Sequence, residues 1–335
     1  MSTNQTIEML RPYMKDFDSI VLPYWYKFQQ PHPYYQYTIG LFIACTGITG
    51  VCLNLLVIIF FTTVKSLRTP SNMLVVNLAI SDFGFSAVNG FPLKTISAFN
   101  KFWPWGKFAC EMYALAGGLF GFVSLSTIAA VAVDRYMVIA TPFESVFQTT
   151  NRRTILLMLF LWLWSLIWTI PPLFGFGRYV LEGYQTSCTF DYISTDLTNR
   201  LFNIGFHEMA ARTSTKSDNQ KNKSTTVSST KSDSFVLKSA AILLGVYSIC
   251  WTPYAVVCFI ALIGYPHVLT PLMVEIPCLF AKTAAVWDPC IYAFRYPRFR
   301  ALLERRFGLS CFAGNKRKIG STSKAEASTL CQVEE

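Results

Sequence analysis

Charge is scarce in this chain: of 335 residues only 14% are Asp, Glu, Lys or Arg, against about 25% in an ordinary soluble domain. With 52% of the residues hydrophobic, that scarcity excludes a disordered chain, which carries much charge and little apolar surface. Histidine is rarer still. His32, His207 and His267 stand far apart, without the spacing that lets imidazoles share an ion, so no metal site is expected. The first residues, MSTNQTIEMLRPYMKDF, have no apolar core, so no cleaved signal peptide is expected there. Cysteine is present, ten in all, but not as the framework of a small secreted domain. Cys45, Cys52, Cys250, Cys258, Cys278 and Cys290 fall inside apolar runs, where a free thiol is an ordinary small hydrophobe.

What the chain has in quantity is apolar surface, with aromatics at 16%. Nearly charge-free runs lie at about 37–63, 72–98, 109–138, 154–176, 236–263 and 268–294. Each is long enough to cross about 30 Å of hydrocarbon at about 1.5 Å per residue. The expected architecture is an all-α, multi-pass membrane protein. It has an extracellular segment over 1–35, a bundle within 36–294, an amphipathic cytoplasmic helix over 295–309 and a polar tail over 310–335. The net charge of +10 gathers behind the last span, in Arg295, Arg298, Arg300, Arg305, Arg306, Lys316, Arg317 and Lys318, which places that end in the cytoplasm. Contact with anionic membrane lipid accounts for the charge. Nucleic-acid binding does not, because no groove-reading helix is left once the spans are assigned. At the other end Asn4-Gln5-Thr6 is a glycosylation sequon, usable only if that end is lumenal. Cys110 and Cys188 flank spans on one side and can bridge if that side is oxidising. Cys311, just past the basic helix, is a palmitoylation candidate.

Polar residues inside the spans are costly unless they are used or satisfied. A single one is packing glue, but Asn54, Asn77, Asp82 and Asp288 on three spans read as a shared network in a bundle interior. Asp134-Arg135-Tyr136 stands at the expected cytoplasmic end of the third span, where the plain alternative is a helix-end ion pair with Arg135 reaching the interface. In CWTPY, Cys250 to Tyr254, Pro253 kinks its helix beside Trp251. Bent helices with aromatic walls open cavities suited to apolar ligands. The stretch CLFAKTAAVWDPCIY places Lys282 in the middle of an apolar run. Either Glu275, two turns earlier on the same helix face, neutralises this lysine, or its amine is used chemically.

Taken in order, Asn54, Asn77 with Asp82, Cys110, Asp134-Arg135-Tyr136, Trp162, Cys188, Cys250-Trp251-Thr252-Pro253-Tyr254 and Asp288-Pro289-Cys290-Ile291-Tyr292 resemble the rhodopsin-like G-protein-coupled receptors. Within that class Lys282, six residues before Asp288, resembles the lysine on which opsins hold retinal as a protonated Schiff base. The neutral amine attacks the aldehyde, and the product needs a carboxylate nearby as counterion. The chain looks most like the rhabdomeric opsins of invertebrates. Tyr113 stands where vertebrate visual opsins carry a glutamate counterion, and Glu182 in LEGYQTSC matches the loop carboxylate that serves in invertebrate members, with Glu111 a rival nearer the rim. RYPRFR resembles the HPKYR of invertebrate opsins, and HEMAA the start of their third cytoplasmic loop. The resemblance covers about 34–312. It implies retinal as cofactor, with Tyr113, Trp251 and Tyr254 around it, and a Cys110–Cys188 disulfide. Asp134, Arg135, Tyr136, Asp82, Asp288, Pro289 and Tyr292 would serve coupling and activation, with a heterotrimeric G protein of the Gq class and arrestin as partners. Asp288 departs from the usual asparagine.

A larger departure is a missing span: the family has seven, and six are recognisable here. LTNRLFNIG resembles the approach and first turn of the fifth helix, and FHEMAARTST the loop that should follow it. The fifth span looks excised between about Gly205 and Phe206, leaving a polar insert over 189–235 that cannot cross lipid. The leading expectation is a light-sensing receptor in the plasma or photoreceptor membrane. The others are a non-signalling shortened isoform, held in the endoplasmic reticulum or dimerising with itself or with full-length opsin, a retinal photoisomerase, and, disfavoured by Lys282, a chemoreceptor.

Overall fold

The computed structural model describes residues 17–140, 150–206, 208–209 and 231–307. Asn4, Cys311, His207 and the 310–335 tail lie outside the described residues, as do the side chains of Arg135 and Tyr136. In chain order the elements are α1 (Pro33–Thr63), α2 (Pro70–Asn89), α3 (Leu93–Asn100), α4 (Gly106–Ala140), α5 (Asn151–Thr169), β1 (Tyr179–Glu182), β2 (Ser187–Phe190), α6 (197–206), α7 (Lys231–Leu262), α8 (Pro271–Lys282), α9 (Ala284–Arg295) and α10 (Pro297–Phe307). The chain divides into two compact units at Ile291. In the second, Phe299 and Leu303 of α10 are buried one turn apart while Arg305 and Arg306 are exposed, an amphipathic stripe.

Helix starts are written in the sequence. Thr69, Thr150 and Thr270 are N-caps whose hydroxyls accept from Asn72 N, Arg153 N and Met273 N, satisfying backbone donors that a first turn leaves orphaned. Pro33, Pro70 and Pro271 occupy the opening turns of α1, α2 and α8, where a missing N–H costs nothing.

Five stretches among the described residues are long and apolar enough to cross a membrane: Pro33–Thr63, Pro70–Asn100, Gly106–Asp134, Asn151–Phe174 and Ser239–Leu262. The apolar run expected at 268–294 is built as two helices, α8 and α9, parted at Thr283. End to end they reach about 37 Å at about 1.5 Å per residue, enough to span. Between Phe190 and Lys231 the described residues hold α6 and the pair 208–209.

The long helices are apolar all round, so amphipathicity does not decide which face turns inward. Size and polarity do. On α1 the buried positions are Gln36, Ile39, Gly40, Ile43, Gly47, Gly50, Asn54, Val57 and Phe61, a helical stripe rich in small and polar residues. Leu41, Phe42, Ile48, Leu55 and Ile59 are exposed. That is the pattern of helices packing in lipid, where close backbone approach and internal hydrogen bonds replace the hydrophobic drive. α4 is the hub of the first unit, packed against α2, α5, α7 and the hairpin.

Polar residues tie these helices together. Asn77 donates to Thr127 Oγ1 at 2.8 Å and accepts from Trp162 Nε1 at 2.9 Å, joining α2, α4 and α5. Asp82 accepts from Ser124 Oγ at 2.7 Å. Asn54 Nδ2 donates to Ala285 O at 2.8 Å. Ala285 is four residues before Pro289, which has no N–H to give it, so the side chain of α1 supplies the donor that the kinked α9 lacks.

Gly47 marks the tightest approach of α1 to the chain between α2 and α3. A Cβ there would stand 2.6 Å from Phe91 N and 3.2 Å from Gly90 Cα, both backbone atoms. Gly47→Ala should therefore lower the melting temperature of the protein in micelles, the overpacking costing about 1–3 kcal/mol. Gly245→Ala, where no atom lies within 4 Å of the added carbon, should leave it unchanged or higher. Equal melting temperatures for Gly47→Ala and the unsubstituted chain would refute the close approach.

Candidate functional site

The first unit encloses a cavity of about 190 Å³ between α2, α4, α7, α8 and the β-hairpin. Its wall is mostly aromatic, with Phe85, Tyr113, Phe122, Phe206, Trp251 and Tyr254 among its residues. Kinked α7 brings Trp251 to α4 at Gly121, where an added Cβ would lie 3.4 Å from the indole. Trp251 in turn stacks on Tyr247, centroids 5.7 Å apart, and meets Phe85 at 5.9 Å. Trp251 Nε1 is a buried donor without a hydrogen-bond partner among the described residues.

Lys282 enters this cavity from the last turn of α8. It is 9% exposed, and Nζ donates to Tyr113 Oη at 3.1 Å. The same ammonium stands 5.4 Å from the ring centroids of both Phe85 and Tyr113, a favourable place for a cation in a dry site. Pairing with Glu275, open from the sequence, is excluded. Glu275 is engaged by Lys94, Nζ to Oε1 2.7 Å, with both side chains at most 1% exposed.

A lid of two short strands closes the cavity. β1 and β2 pair antiparallel with Glu182 opposite Ser187 and Leu181 opposite Cys188, and Gly183 at φ +55° opens the turn between them. Cys188 is bonded to Cys110 on α4, and Tyr179 Oη donates to Thr169 O at 2.6 Å, so the lid is fastened to two helices. Glu182 hangs from it fully buried, Oε1 accepting from Tyr192 Oη at 2.7 Å and Tyr254 Oη at 2.9 Å. Burial pushes this carboxyl upward from its ordinary value, and the two phenol donors oppose that push. Burial, followed by the charge of Glu182, holds the Tyr192 phenol well above its ordinary range.

The structure thus gathers Lys282, Glu182, Tyr113, Trp251 and Tyr254 around one cavity. The rival Glu111 is not among the residues lining it; it sits beside Lys107 at 3.9 Å, 27% exposed. Asp82 and Asp288 are buried in the same unit, Asp134 is half-buried on α4, and Pro289 and Tyr292 lie on α9. Sequence reasoning missed Lys94 and Tyr192. Lys94 carried the signal that exposed Lys282, a lone lysine in an apolar stretch, FPLKTISAF. Tyr192 carried none, since a tyrosine in a polar segment is unremarked until the fold aims it at a carboxylate.

A carboxyl raised above its unfolded value binds extra protons in the folded state. Stability is therefore fully present below about pH 4 and lost as pH rises through the raised value. Glu182→Gln should remove its share, flattening the fall in melting temperature between mildly acidic and neutral pH for the ligand-free protein. An unchanged slope would show that Glu182 is not held this way.

Residues 53–292 match the pattern of the 7 transmembrane receptor (rhodopsin family). The chain is 36% identical to rhodopsin of Enteroctopus dofleini over 331 residues, 91% of this chain and 73% of that protein. It is 38% identical to rhodopsin of Todarodes pacificus over 313 residues, covering 86% and 70%. A rhodopsin of Mizuhopecten yessoensis described as Gq-coupled is 36% identical, covering 90% and 66%. The crystal structure of squid rhodopsin superposes with a TM-score of 0.78 at 34% identity, covering 94% of this chain and 96% of that one.

Proposed function

The chain belongs to the rhodopsin family of seven-transmembrane receptors, and from that premise we propose that it holds retinal as a protonated Schiff base on Lys282 and signals to a heterotrimeric G protein. It is a multi-pass membrane receptor of the opsin type and not an enzyme. The observation that carries the finer reading is the Lys282 amine: buried at the wall of an aromatic cavity, bonded to a phenol and, among the described residues, paired with no carboxylate. A structural lysine would be neutralised where it stands.

The residues present fit a long apolar aldehyde. Phe85, Phe206, Trp251 and Tyr254 supply flat walls for a polyene, and Lys282 supplies a nucleophilic nitrogen. Retinal bound there supplies absorption of visible light and a change of shape on isomerisation. The chain supplies the rest. Lys282 forms the bond, Tyr113 Oη sits at hydrogen-bond distance from its nitrogen, and Glu182 answers the positive charge from the lid. Asp134, Arg135 and Tyr136 at the end of α4, with Asp82, Asp288, Pro289 and Tyr292, form the proposed route to the G protein. The Gq class is favoured by the Gq-coupled relative, and arrestin is proposed as a second partner on the family resemblance.

The sequence favours a second element of the reading. Phe202 and Phe206 of α6 line the cavity, and between Gly205 and Phe206 the chain lacks the apolar run that the resemblance leads one to expect. We propose that the cavity loses part of one wall there, so that water and lipid reach the Lys282 nitrogen and both pigment yield and coupling are reduced. Retention in the endoplasmic reticulum and dimerisation with full-length opsin belong to the same proposal.

Supplying 11-cis-retinal and then borohydride should label Lys282 and no other lysine, and Lys282→Ala should abolish the visible band. Labelling elsewhere would overturn the assignment. Inserting an apolar span of about twenty residues between Gly205 and Phe206 should raise pigment yield several-fold. Equal yields with and without it would defeat the gap.

A further inference from the structure

Beside the lid, on α3, stands a second buried lysine that the opsin reading does not use. Lys94 is 0% exposed. Its ammonium donates to Thr186 Oγ1 at 2.8 Å and Ser187 Oγ at 3.1 Å and forms an ion pair with Glu275 Oε1 at 2.7 Å. These partners come from two elements, α8 and the hairpin, while Lys94 itself stands on α3.

Glu275 stands seven residues before Lys282 on α8. Two turns bring it back to the same face, about 10 Å along the axis. Two buried amines and two buried carboxylates thus share one end of the bundle: Lys94, Lys282, Glu182 and Glu275. The other titratable groups facing them are phenols and thiols: Tyr113 on α4, Tyr254 and Cys258 on α7, Cys278 on α8, Tyr35 on α1, and Tyr184 and Tyr192 in the lid. Glu182 lines the cavity with Lys282 and Glu275 shares the α8 face of Lys282; what separates their roles is the cation on α3.

We infer that Lys94 is a specificity-determining residue of this site: by holding Glu275 in a closed ion pair it reserves Glu182 as the carboxylate that answers Lys282. The inference rests on the Schiff-base reading. Without Lys94, Glu275 is an unmatched anion on the face of α8 that carries Lys282, and it supports the positive charge on that nitrogen alongside Glu182. Without Glu275, Lys94 is an unmatched cation beside Ser187, the partner of Glu182 across the hairpin, and it draws Glu182 away from Lys282.

The two substitutions therefore act with opposite signs on one quantity, the pH at which the visible band is lost as the nitrogen deprotonates. Lys94→Met adds net negative charge near the nitrogen and should move that loss to higher pH. Glu275→Gln adds net positive charge and should move it to lower pH. A charge about 10 Å away at an effective dielectric of about 20 changes proton affinity about tenfold, one pH unit. Lys94→Met with Glu275→Gln should return near the unsubstituted value, because the pair leaves together. The measurement needs the position of the titration and not its amplitude, so a small pigment fraction suffices.

A purely structural latch predicts something else. Both single variants would lower the melting temperature of the retinal-free protein and shift the titration in the same direction or not at all, and that result overturns the inference. Opposite shifts, cancelled in the double variant, sustain it. If the single variants fail to fold, the double variant decides: a titration one unit or more from the unsubstituted pigment overturns the proposal. Absence of any visible band in the unsubstituted chain sinks the Schiff-base reading itself, and the inference with it.

Discussion

A buried charge in an apolar medium must meet its opposite, and the upper half of this bundle is arranged around that requirement. Moving an ion out of water costs several kcal/mol even after the surroundings relax, and four ionisable side chains with at most 9% exposure sit at one end of the molecule. They are affordable only as a balanced set. The lid, the disulfide and the phenols around Glu182 can all be read as means of keeping carboxylates where amines need them. Lys94 has a carboxylate and two hydroxyl partners. Lys282 has a phenol and two aromatic faces. Among the described residues one buried lysine is thus matched by a carboxylate and the other is not.

The same rule governs the backbone lower down. Pro253, Pro277 and Pro289 each remove a hydrogen bond from a helix in the apolar zone, and lipid offers no substitute. At Pro289 the substitute is visible: Asn54 reaches across from α1 to the abandoned carbonyl of Ala285. An asparagine in a span is thus explained by a proline more than two hundred residues away. The break at Thr283 sits between Pro277 and Pro289 and directly follows Lys282. Lys282 therefore ends one helical segment, and Asp288 belongs to the next.

Much of the architecture was legible because a membrane helix leaves a long signal, about twenty apolar residues in a row. So were the intramembrane polar residues, whose rarity makes each one conspicuous. The hairpin was not legible, since YVLE and SCTF are four-residue strands whose burial comes from the helices around them. Breaks inside spans were also hidden. The run 72–98 reads as one span, yet the chain parts it into α2 and α3 around Gly90 and Pro92. Glu182 could be singled out by its distance from Cys188. Its partners could not, because Tyr192 and Tyr254 stand 10 and 72 residues away and only the closed lid brings them together. Lys94 was as conspicuous in sequence as Lys282 and was passed over because no motif surrounded it.

The lid gives the site a property that a carboxylate on a helix would lack. Glu182 is carried by a strand whose attachments are covalent at Cys188, to α4, and hydrogen-bonded at Tyr179, to α5. Through Ser187 and Thr186 the same hairpin touches Lys94, and through Lys94 it touches Glu275 on α8. Lys282 ends α8. Lys94 thus ties α8 to the hairpin from α3. Loosening its ion pair with Glu275 would free α8 from the lid. Three elements are in this way held to one another through a single ammonium, without any long-range device beyond contact and Coulomb attraction.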